Sequence, residues 1–592
     1  MTYSPRVSAR RLAYMPGIDG LRAFAVGSVL VYHLGASWLP GGFLGVDVFL
    51  VISGFLITSL LLSEHLETGR IDIRRFWMRR VRRLLPAVLV MIAVVLVAML
   101  VLHAGEVSRL RGQVVAALLY VVNWQFIYAD VPYFDRFGRP SVFLHLWSLA
   151  IEEQFYLVWP PLLAVGLLAL RRRALLVVVV VAALGSTVLA WVMWAPFTDP
   201  SRIYYGTDTR AVALLVGVAL ALIPWGLRDR SAWPAARRRA LDVVGFVCAA
   251  GLLAALLRLG DLDERLYRGG FLMVALLTAG VVAVLADSSA PMARAAAWAP
   301  LVWIGLRSYS IYLWHWPVIM LTRPDVDVAI DGIPLVILRL ALTMLAAVLS
   351  YRYVEVPFRR HGIAGVRARL GRVARPARLA AASSAALAVV GLAVAVAVVP
   401  AGTSHVPGIG VASAGEPPAT AGAATTRGPR LVFVGDSVML GASRTIERTF
   451  GRRATVDAAV GRPFPEGAQI LMGRLRGLPA DAVPVVHLGN NDFIDPADLD
   501  ALLARLAGRP RVVLLTVRVP LPWQDSVNRA IRAAAERFPN VQVIDWYAAS
   551  GGPGLLVDGA HMNARGLRLY GRILEDAMGP DGPDPATTTG GA

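Results

Sequence analysis

The sequence predicts a multi-span α-helical membrane domain of about 11 spans, followed by an α/β domain with a parallel sheet. The chain of 592 residues is 56% hydrophobic and only 17% charged, with a mean hydropathy of +0.59. These values exclude a disordered chain and argue against a purely soluble enzyme. Long apolar runs recur up to residue 400, and beyond it short apolar strands alternate with helical patterns. This change of pattern separates the two predicted parts.

The net charge of +19 belongs to the apolar part of the chain. All 59 basic residues are arginine, and residues 1–400 carry a net charge of +18 while residues 401–592 carry +1. A strongly basic protein first suggests a nucleic-acid partner. Because the charge is confined to the apolar part, we interpret it as a determinant of membrane topology and expect no nucleic-acid partner.

Eleven apolar runs are long enough to cross a bilayer, whose hydrocarbon core takes about 20 helical residues. They lie near residues 22–39, 43–62, 84–103, 143–170, 174–195, 207–225, 240–258, 271–287, 301–321, 333–353 and 379–400. The stretch 110–128 is a weaker candidate and could be a re-entrant or interfacial helix. The first run follows 21 residues and lacks a small-residue cleavage site, so we expect no cleavable signal peptide.

The arginines also predict the orientation of this multi-pass protein in the cell membrane. With the N-terminus in the cytoplasm, the inner segments of residues 1–400 hold 26 Arg and the outer loops hold 8. This bias follows the positive-inside rule, and an odd number of spans then places everything after residue 400 outside the cytoplasm. The single cysteine, Cys248, cannot form an intramolecular disulfide, so the outer part must fold without one.

The composition divides the chain into five segments. These are a membrane domain over 1–360, a basic segment with the last span over 361–400, a flexible linker over 401–428, an α/β domain over 429–578 and a disordered tail over 579–592. The linker is rich in Ala, Gly, Thr, Ser and Pro. Strand candidates in the α/β domain are residues 431–434, 484–488, 512–517 and 541–545.

A candidate catalytic serine follows the first of these strands. Ser437, in the triplet GDS, opens a helical stretch, so helix-start N–H groups lie near it and could stabilise an oxyanion. By itself such a serine could equally cap its helix. Asp558 lies three residues before His561, and one helical turn can bring the carboxylate to the imidazole, which would then act as base for Ser437. Asn491, after another strand, and Gly461 could donate to the oxyanion.

These elements, in this order, resemble the SGNH (GDSL-like) hydrolase family. The resemblance implies that Ser437 is the nucleophile, that Asp558 and His561 are its triad partners, and that Asn491 and Gly461 stabilise the oxyanion. The flanking GDSVMLGA, HLGNND, VPLPWQDSVN and VIDW are more similar to the SGNH domains of bacterial cell-wall O-acetyltransferases than to free lipases. The second block reads AVGRPF, which differs from the family's pattern.

Ionisable residues within membrane spans are costly, and each is therefore a candidate site. His33 lies eleven residues after Arg22, about three helical turns, so both face one side of the first span. Other candidates are Asp47, Glu152, Glu153 and His315, and six Arg lie within residues 74–83. The Arg cluster could instead be a topology anchor, and His315 could serve only in structural hydrogen bonding. No metal-ligand spacing is present, so we expect no metal.

Several long motifs resemble the acyltransferase family 3 membrane domain over residues 13–360. They are GVDVFLVISGFLIT, RRVRRLLP, HLWSLAIEEQFYLVWP, SYSIYLWHWP and YRYVEVPFR, together with the Arg and His of the first span. The resemblance implies that the domain uses cytoplasmic acyl-CoA and that His33 is the catalytic base beside Arg22. Supporting residues would be Asp47, Glu152, Glu153 and His315. The phosphates of the donor would meet Arg79, Arg80, Arg82 and Arg83.

Together the two resemblances predict an O-acyltransferase. It would pass an acetyl group from acetyl-CoA, a substrate rather than a permanently bound cofactor, across the membrane to Ser437. The serine would then transfer it to a hydroxyl of peptidoglycan or another surface glycan. Two alternatives remain open: a membrane-anchored esterase that uses the same triad with water, and a transporter without covalent chemistry. The sequence leaves the oligomeric state undetermined.

Overall fold

The computed structural model describes residues 14–104, 107–129, 131, 140–195, 200–223, 233–261, 263–324, 327–362, 428–459, 461–491, 493–521, 523–552, 554–556 and 559–578. The predicted span at 379–400, the predicted linker up to residue 427, the tail 579–592 and Asp558 lie outside these residues. The chain divides into two compact units, one containing the helices up to residue 362 and the other containing the α/β domain.

Helices make up the membrane unit, and they overlap every apolar run predicted before residue 354. They are α1 (Pro16–His33), α2 (Gly45–Thr68), α3 (Ile73–Leu102), α4 (Val107–Leu118), α5 (Val122–Tyr128), α6 (Leu146–Ala169), α7 (Arg172–Met193), α8 (Ser201–Tyr205), α9 (Thr207–Leu222), α10 (Ala235–Arg258), α11 (Phe271–Leu285), α12 (Pro291–Ala296), α13 (Ala299–Met320) and α14 (Gly332–Ser350). Single helical turns at Gly42–Leu44, Leu266–Gly270 and Tyr351–Glu355 adjoin α2, α11 and α14.

Six helical segments among the described residues are long and apolar enough to cross a membrane. They are Gly42–Thr68, Ile73–Leu102, Arg172–Met193, Ala235–Arg258, Leu266–Leu285 and Gly332–Gly362. The helices α1, α6, α9 and α13 also coincide with predicted runs but fall outside this set. Helix α9 has only 16 residues, and α1, α6 and α13 carry ionisable residues, such as Arg22 and Glu152, that lower their hydropathy.

The weaker candidate span at 110–128 is a broken pair of helices. The 12-residue α4 has a length of about 18 Å, well short of a bilayer core of about 30 Å. Between α4 and α5 the chain turns at Tyr120, whose φ of +56° ends the first helix. The Tyr120 carbonyl accepts a hydrogen bond from Gln154 Nε2 in α6 at 2.7 Å, so the break is tied to a neighbouring helix.

Prolines inside two helices release backbone carbonyls that bind neighbouring rings. Proline has no N–H, so the carbonyl four residues earlier loses its helical partner. Pro160 in α6 leaves the Tyr156 carbonyl, which accepts a hydrogen bond from Trp77 Nε1 at 3.0 Å. Pro317 in α13 leaves the Leu313 carbonyl, which accepts one from His145 Nε2 at 3.1 Å. Each proline therefore creates a tie between helices.

Helices α2 and α9 pack with their backbones in contact. A Cβ atom on Gly54 would lie 2.1 Å from the Leu214 carbonyl oxygen, and one on Gly217 would lie 2.1 Å from the Val51 carbonyl oxygen. Small residues at such positions let membrane helices approach closely. Since any side chain at either position would overlap the opposing backbone, this crossing requires glycine on both helices.

The second unit is a five-stranded parallel sheet with helices, as predicted. Its strands are β1 (Leu431–Gly435), β2 (Ala454–Ala458), β3 (Val483–His487), β4 (Val512–Leu515) and β5 (Val541–Ile544), in the order β2-β1-β3-β4-β5. Its helices are α15 (Ser437–Phe450), α16 (Phe464–Arg474), α17 (Pro496–Arg505), α18 (Gln524–Arg537), α19 (Trp546–Ala549) and α20 (Ala564–Met578). The sequence prediction missed the edge strand β2, which is only half-buried.

Candidate functional site

Ser437 and His561 meet at the carboxyl edge of the sheet. Ser437 is the first residue of α15, two positions after the end of β1, and it is buried. His561, in the loop before α20, places its Nε2 3.0 Å from Ser437 Oγ. This distance allows the imidazole to take the hydroxyl proton when Oγ attacks an acyl carbon. The structure thus brings together two of the three predicted triad residues, while Asp558 lies outside the described part of the chain.

The carboxylate of Asp436 ties the turn before Ser437 to the loop after β3. It accepts hydrogen bonds from the backbone N–H of Val438 at 3.1 Å and from the backbone N–H of Asn490 at 3.1 Å. The side-chain amide of Asn490 donates to both carboxylate oxygens, at 2.9 and 3.1 Å. Burial raises the pKa of Asp436 to about 6, although these hydrogen bonds oppose the shift. The clamp holds the two loops together.

The strand order explains why these two loops are neighbours. The chain runs from β1 out to β2 and then back to β3 on the other side of β1. Such a reversal opens a crevice at the carboxyl ends of the strands, where ligands bind in open α/β sheets. Asn491 lies in the loop after β3, and its amide nitrogen is buried with no hydrogen-bond partner among the described residues. It is therefore a donor suited to an oxyanion.

Gly461 lies in the loop after β2, where its φ of +72° suits glycine. The next residue, Arg462, is buried, and its Nη1 donates to the carbonyls of Asp457 at 2.6 Å and Gly435 at 3.3 Å. Its Nη2 also donates to the Asp457 carboxylate at 2.8 Å. Arg462 therefore holds the Gly461 loop beside the end of β1, from which Ser437 follows.

The membrane unit contains a cavity of about 120 Å³ in which basic and acidic groups face one another. Its basic lining residues are Arg22, Arg80 and Arg83, and its acidic residue is Glu152. The remaining lining residues are Val46, Phe49, Leu50, Ile52, Ser53, Leu56, Ile57, Leu84, Ser148, Leu149, Tyr156, Ser308, Tyr309 and Tyr312. The cavity thus offers guanidinium groups suited to an anion and an apolar wall suited to an acyl chain.

Glu152 is the centre of a hydrogen-bonded cluster in this cavity. Its carboxylate accepts short hydrogen bonds from the hydroxyls of Ser53 and Tyr156, and the Tyr156 hydroxyl lies 3.2 Å from Ser53 Oγ. The Arg80 guanidinium lies over the Tyr156 ring at 5.0 Å from its centroid. These contacts hold the Glu152 carboxylate and the Arg80 guanidinium in fixed orientations in the cavity wall.

The other predicted membrane residues are absent from the lining of this cavity. The exposed Arg79 is 3.6 Å from the half-buried Glu64, and Arg82 is exposed on the same helix. Glu153 is absent from the cavity lining. Asp47 also lies outside it, in the fully buried ion pair described next.

Asp47 is paired with Arg210, which the sequence reasoning did not single out. Arg210 Nη2 lies 2.8 Å from both carboxylate oxygens of Asp47, and both side chains are essentially inaccessible to solvent. The guanidinium also lies 3.8 Å from the ring centroid of Phe271. The pair joins α2 to α9 about two helical turns from their glycine crossing. Asp47 is therefore placed as an internal charge partner within the helix bundle.

His33 and His315 are joined by a hydrogen bond. His33 is the last residue of α1, and its Nδ1 lies 2.9 Å from Nε2 of His315 in α13. Arg22, eleven residues earlier in α1, lines the cavity and lies 3.1 Å from Asp19. Arg22 and His33, which were predicted to share one face of the first span, therefore contact different groups. Arg22 lines the cavity, and His33 contacts α13.

The acyltransferase domain family matches residues 15–352 of the chain, which is more than half of its length. The chain belongs to the acyltransferase family 3. It is an O-acyltransferase of the membrane, in which this membrane domain is followed by an α/β domain with a parallel sheet. The motifs noted in the membrane domain fall within the matched region, apart from residues 353–359 of YRYVEVPFR.

Relatives of this acyltransferase are similar over almost the whole chain. The peptidoglycan O-acetyltransferase OatA of Listeria monocytogenes is 35% identical over 622 aligned positions, which cover 95% of this chain and 98% of that protein. YrhL of Bacillus subtilis, whose name also describes a peptidoglycan O-acetyltransferase, is 32% identical, with 95% and 98% covered. The structure of the OatA C-terminal catalytic domain of Streptococcus pneumoniae with a methylsulfonyl adduct matches at 20% identity and a TM-score of 0.22, covering 25% of this chain and 92% of that domain.

Several residues with buried polar contacts in this acyltransferase, some of them in the two candidate sites, were missed in the sequence. Arg210 lies inside a predicted span that was described only as apolar, although an arginine within a span itself indicates a candidate site. Ser53 is 99 residues from its partner Glu152, and Arg462 was noted only as a departure from the family's pattern. No local pattern predicts the Ser53 contact, because it depends on how helices pack.

Proposed function

We propose that the protein moves an acetyl group from cytoplasmic acetyl-CoA across the membrane to hydroxyl groups of a cell-wall glycan. The observation that carries this proposal is the 3.0 Å contact between Ser437 Oγ and His561 Nε2 in a chain that belongs to a membrane acyltransferase family. The names of the two relatives that cover 95% of the chain favour peptidoglycan as the acceptor. Other surface polysaccharides carry the same hydroxyl chemistry.

In the proposed topology, about 11 spans place the N-terminus in the cytoplasm and the α/β domain outside. The helix coincidence over ten of the predicted runs and the excess of arginine in the inner segments support this arrangement. The domain boundaries predicted from composition fit it as well. The last span, within 361–400, then carries the chain outward to the linker at 401–428.

In the membrane domain, the cavity guanidinium groups of Arg80 and Arg83 would hold the donor's phosphates, with Arg79 and Arg82 on the same helix attracting them. His33 would act as the base that prepares the acyl acceptor, with Arg22 at the cavity.

In the outer domain, Ser437 would carry the acetyl group as an ester. Oγ attacks the acyl carbon, His561 Nε2 takes the hydroxyl proton, and the leaving group departs with that proton. The Asn491 amide and the Gly461 N–H would stabilise the oxyanion, and Asp558 would orient His561. A glycan hydroxyl then attacks the ester, its proton passes through His561 to Oγ, and the free serine is restored.

The test is the glycan O-acetyl content of cells that carry Ser437→Ala or His33→Ala at the native locus. Acetate released from purified wall glycan by mild base measures it. We expect both variants to lose the protein-dependent ester while remaining in the membrane at normal abundance. Ser443→Ala, which removes a hydroxyl from the same helix α15, is the matched control and should retain the ester.

Two outcomes would overturn this function. A normal ester content in both variants would favour transport without covalent chemistry. A higher ester content in the Ser437→Ala cells than in unmodified cells would instead identify an esterase that removes acetyl groups. The first alternative predicts no change in ester content and the second predicts an increase, so both differ from the loss that we expect.

A further inference from the structure

The hydrogen bond between His33 and His315 has a direction that the surrounding backbone determines. His315 lies in α13 and is 1% exposed, and its ring is nearly parallel to that of His33, with the centroids 5.1 Å apart. The bond joins Nδ1 of His33 to Nε2 of His315. In a pair of neutral imidazoles, one nitrogen must donate and the other accept, so the position of one proton determines the other.

The proton on His315 is placed by a backbone carbonyl. Nδ1 of His315 lies 2.5 Å from the carbonyl oxygen of Tyr312. A carbonyl oxygen only accepts hydrogen bonds, so Nδ1 carries the hydrogen, and the lone pair of the neutral ring lies on Nε2. Nε2 of His315 therefore accepts from Nδ1–H of His33, and the lone pair of His33 is then on Nε2.

We infer that His315 is a positioning residue that selects the His33 tautomer with its basic lone pair on Nε2. The inference rests on the proposed role of His33 as the catalytic base. It gives His315 a specific role, which is to accept one hydrogen bond from His33. The sequence alone left open a purely structural role for this residue. The reacting nitrogen is thereby named: Nε2 of His33 takes the proton.

Neighbouring contacts hold both rings in this arrangement. The hydroxyl of Tyr312 lies 2.6 Å from Ser148 Oγ and donates to the His145 carbonyl at 3.0 Å, which fixes the turn that carries the Tyr312 carbonyl. The Trp316 ring lies edge-on to His33 with the centroids 4.9 Å apart. Rotation of the His315 ring would break its bonds to His33 and to the Tyr312 carbonyl together.

The selected tautomer fits a balanced acyl transfer. A hydroxyl oxygen attacks the thioester carbon while its proton moves to Nε2 of His33, and the imidazolium that forms keeps its Nδ1–H bond to the neutral His315. The C–O bond forms, the C–S bond breaks, and the proton on Nε2 passes to the departing sulfur. His315 stabilises the transient cation as an uncharged acceptor and itself neither gains nor loses a proton.

The test compares His315→Gln with His315→Leu in the full-length protein. A glutamine amide oxygen can occupy the position of Nε2 and accept from His33, whereas leucine has similar bulk and no acceptor. Membranes containing each variant are supplied with radiolabelled acetyl-CoA, and kcat and KM for acetyl-CoA are measured per unit of protein in the membrane. His65→Leu, a histidine replacement near the end of α2, is the control for general effects on folding.

We expect His315→Leu to lower kcat by about 100-fold or more, since general-base catalysis contributes about 10²–10⁴. KM should stay within about twofold, and His315→Gln should recover at least a tenth of the original kcat. Equal losses in both variants would overturn the inference, and so would an unchanged kcat in His315→Leu when His33→Ala is inactive. An active His33→Ala variant would instead overturn the proposed function from which the inference starts.

Discussion

Replacing Asp436 by asparagine tests whether the buried carboxylate positions Ser437 and the loop after β3. The native side chain accepts four contacts of 2.9–3.1 Å from Val438 and Asn490, shared between its two oxygens. Asparagine keeps the shape but exchanges one oxygen for an NH₂ group, which must face an N–H donor. A buried donor without an acceptor costs about 1–3 kcal/mol. If displacement of the loop raises the activation free energy by the same amount, the rate of acyl transfer falls by about 5- to 150-fold.

The assay is hydrolysis of p-nitrophenyl acetate by purified full-length protein in detergent, with Ser437→Ala as the background. Asp495→Asn is the matched control, because Asp495 also caps a helix, accepting from the Ala497 N–H at 2.8 Å, but is an exposed cap without the clamp. We expect the control to change the rate by less than about twofold. A rate for Asp436→Asn within threefold of the unmodified protein would refute the positioning role.

The raised pKa of Asp436 gives this prediction a second part, with a definite sign. Because burial raises the pKa from 3.8 to about 6, the folded domain binds this proton more tightly than the unfolded chain does. The contribution of this group to stability therefore increases as the pH falls from about 6 towards 3.8. Asp436→Asn should remove that increase, which protease resistance of the outer domain in the full-length protein can follow.

Three further changes test other contacts. Arg210→Met leaves Asp47 as an unpaired buried charge and should destabilise the membrane domain by about 3–5 kcal/mol. Thermal aggregation in detergent measures this, and an unchanged midpoint would show that the ion pair is dispensable. Arg83→Gln should raise KM for acetyl-CoA about tenfold, whereas Arg74→Gln, exposed on the same helix, should leave it unchanged; equal effects would argue against the cavity as donor site. Asn491→Ala should lower p-nitrophenyl acetate hydrolysis about 100-fold, and a loss below threefold would exclude the amide as an oxyanion donor.

The parts of the α/β domain that the sequence predicted are those with strong local signals. The three central strands β1, β3 and β4 are buried on both faces and read as apolar runs, such as VVLL at β4. With the predicted edge strand β5, four strands and the parallel sheet are confirmed. Strand β2 contains Thr455 and Asp457 and lies half-buried at the sheet edge, so its residues carry no such run. The catalytic roles of Ser437 and His561 stay predictions, although the fold brings the two side chains together.

In the membrane unit, helix positions were predictable and helix contacts were not. Hydropathy located the runs because each helix must bury its backbone polar groups internally, whatever its neighbours. The pairing of Glu152 with Ser53, or of Asp47 with Arg210, depends on which helices pack together. For that reason the sequence singled out Asp47 and Glu152 as ionisable residues but could not tell that one lies in a closed ion pair and the other lines a cavity.

The prolines of α6 and α13 affect which substitutions the chain tolerates at the two hydrogen bonds that their freed carbonyls accept. In each tie the acceptor is a main-chain carbonyl, so it does not depend on the identity of the side chain at that position. Leu313 could be exchanged for another apolar residue and the bond from His145 would persist. Only the proline and the ring that donates must be retained, so drift at the acceptor position leaves this tie intact.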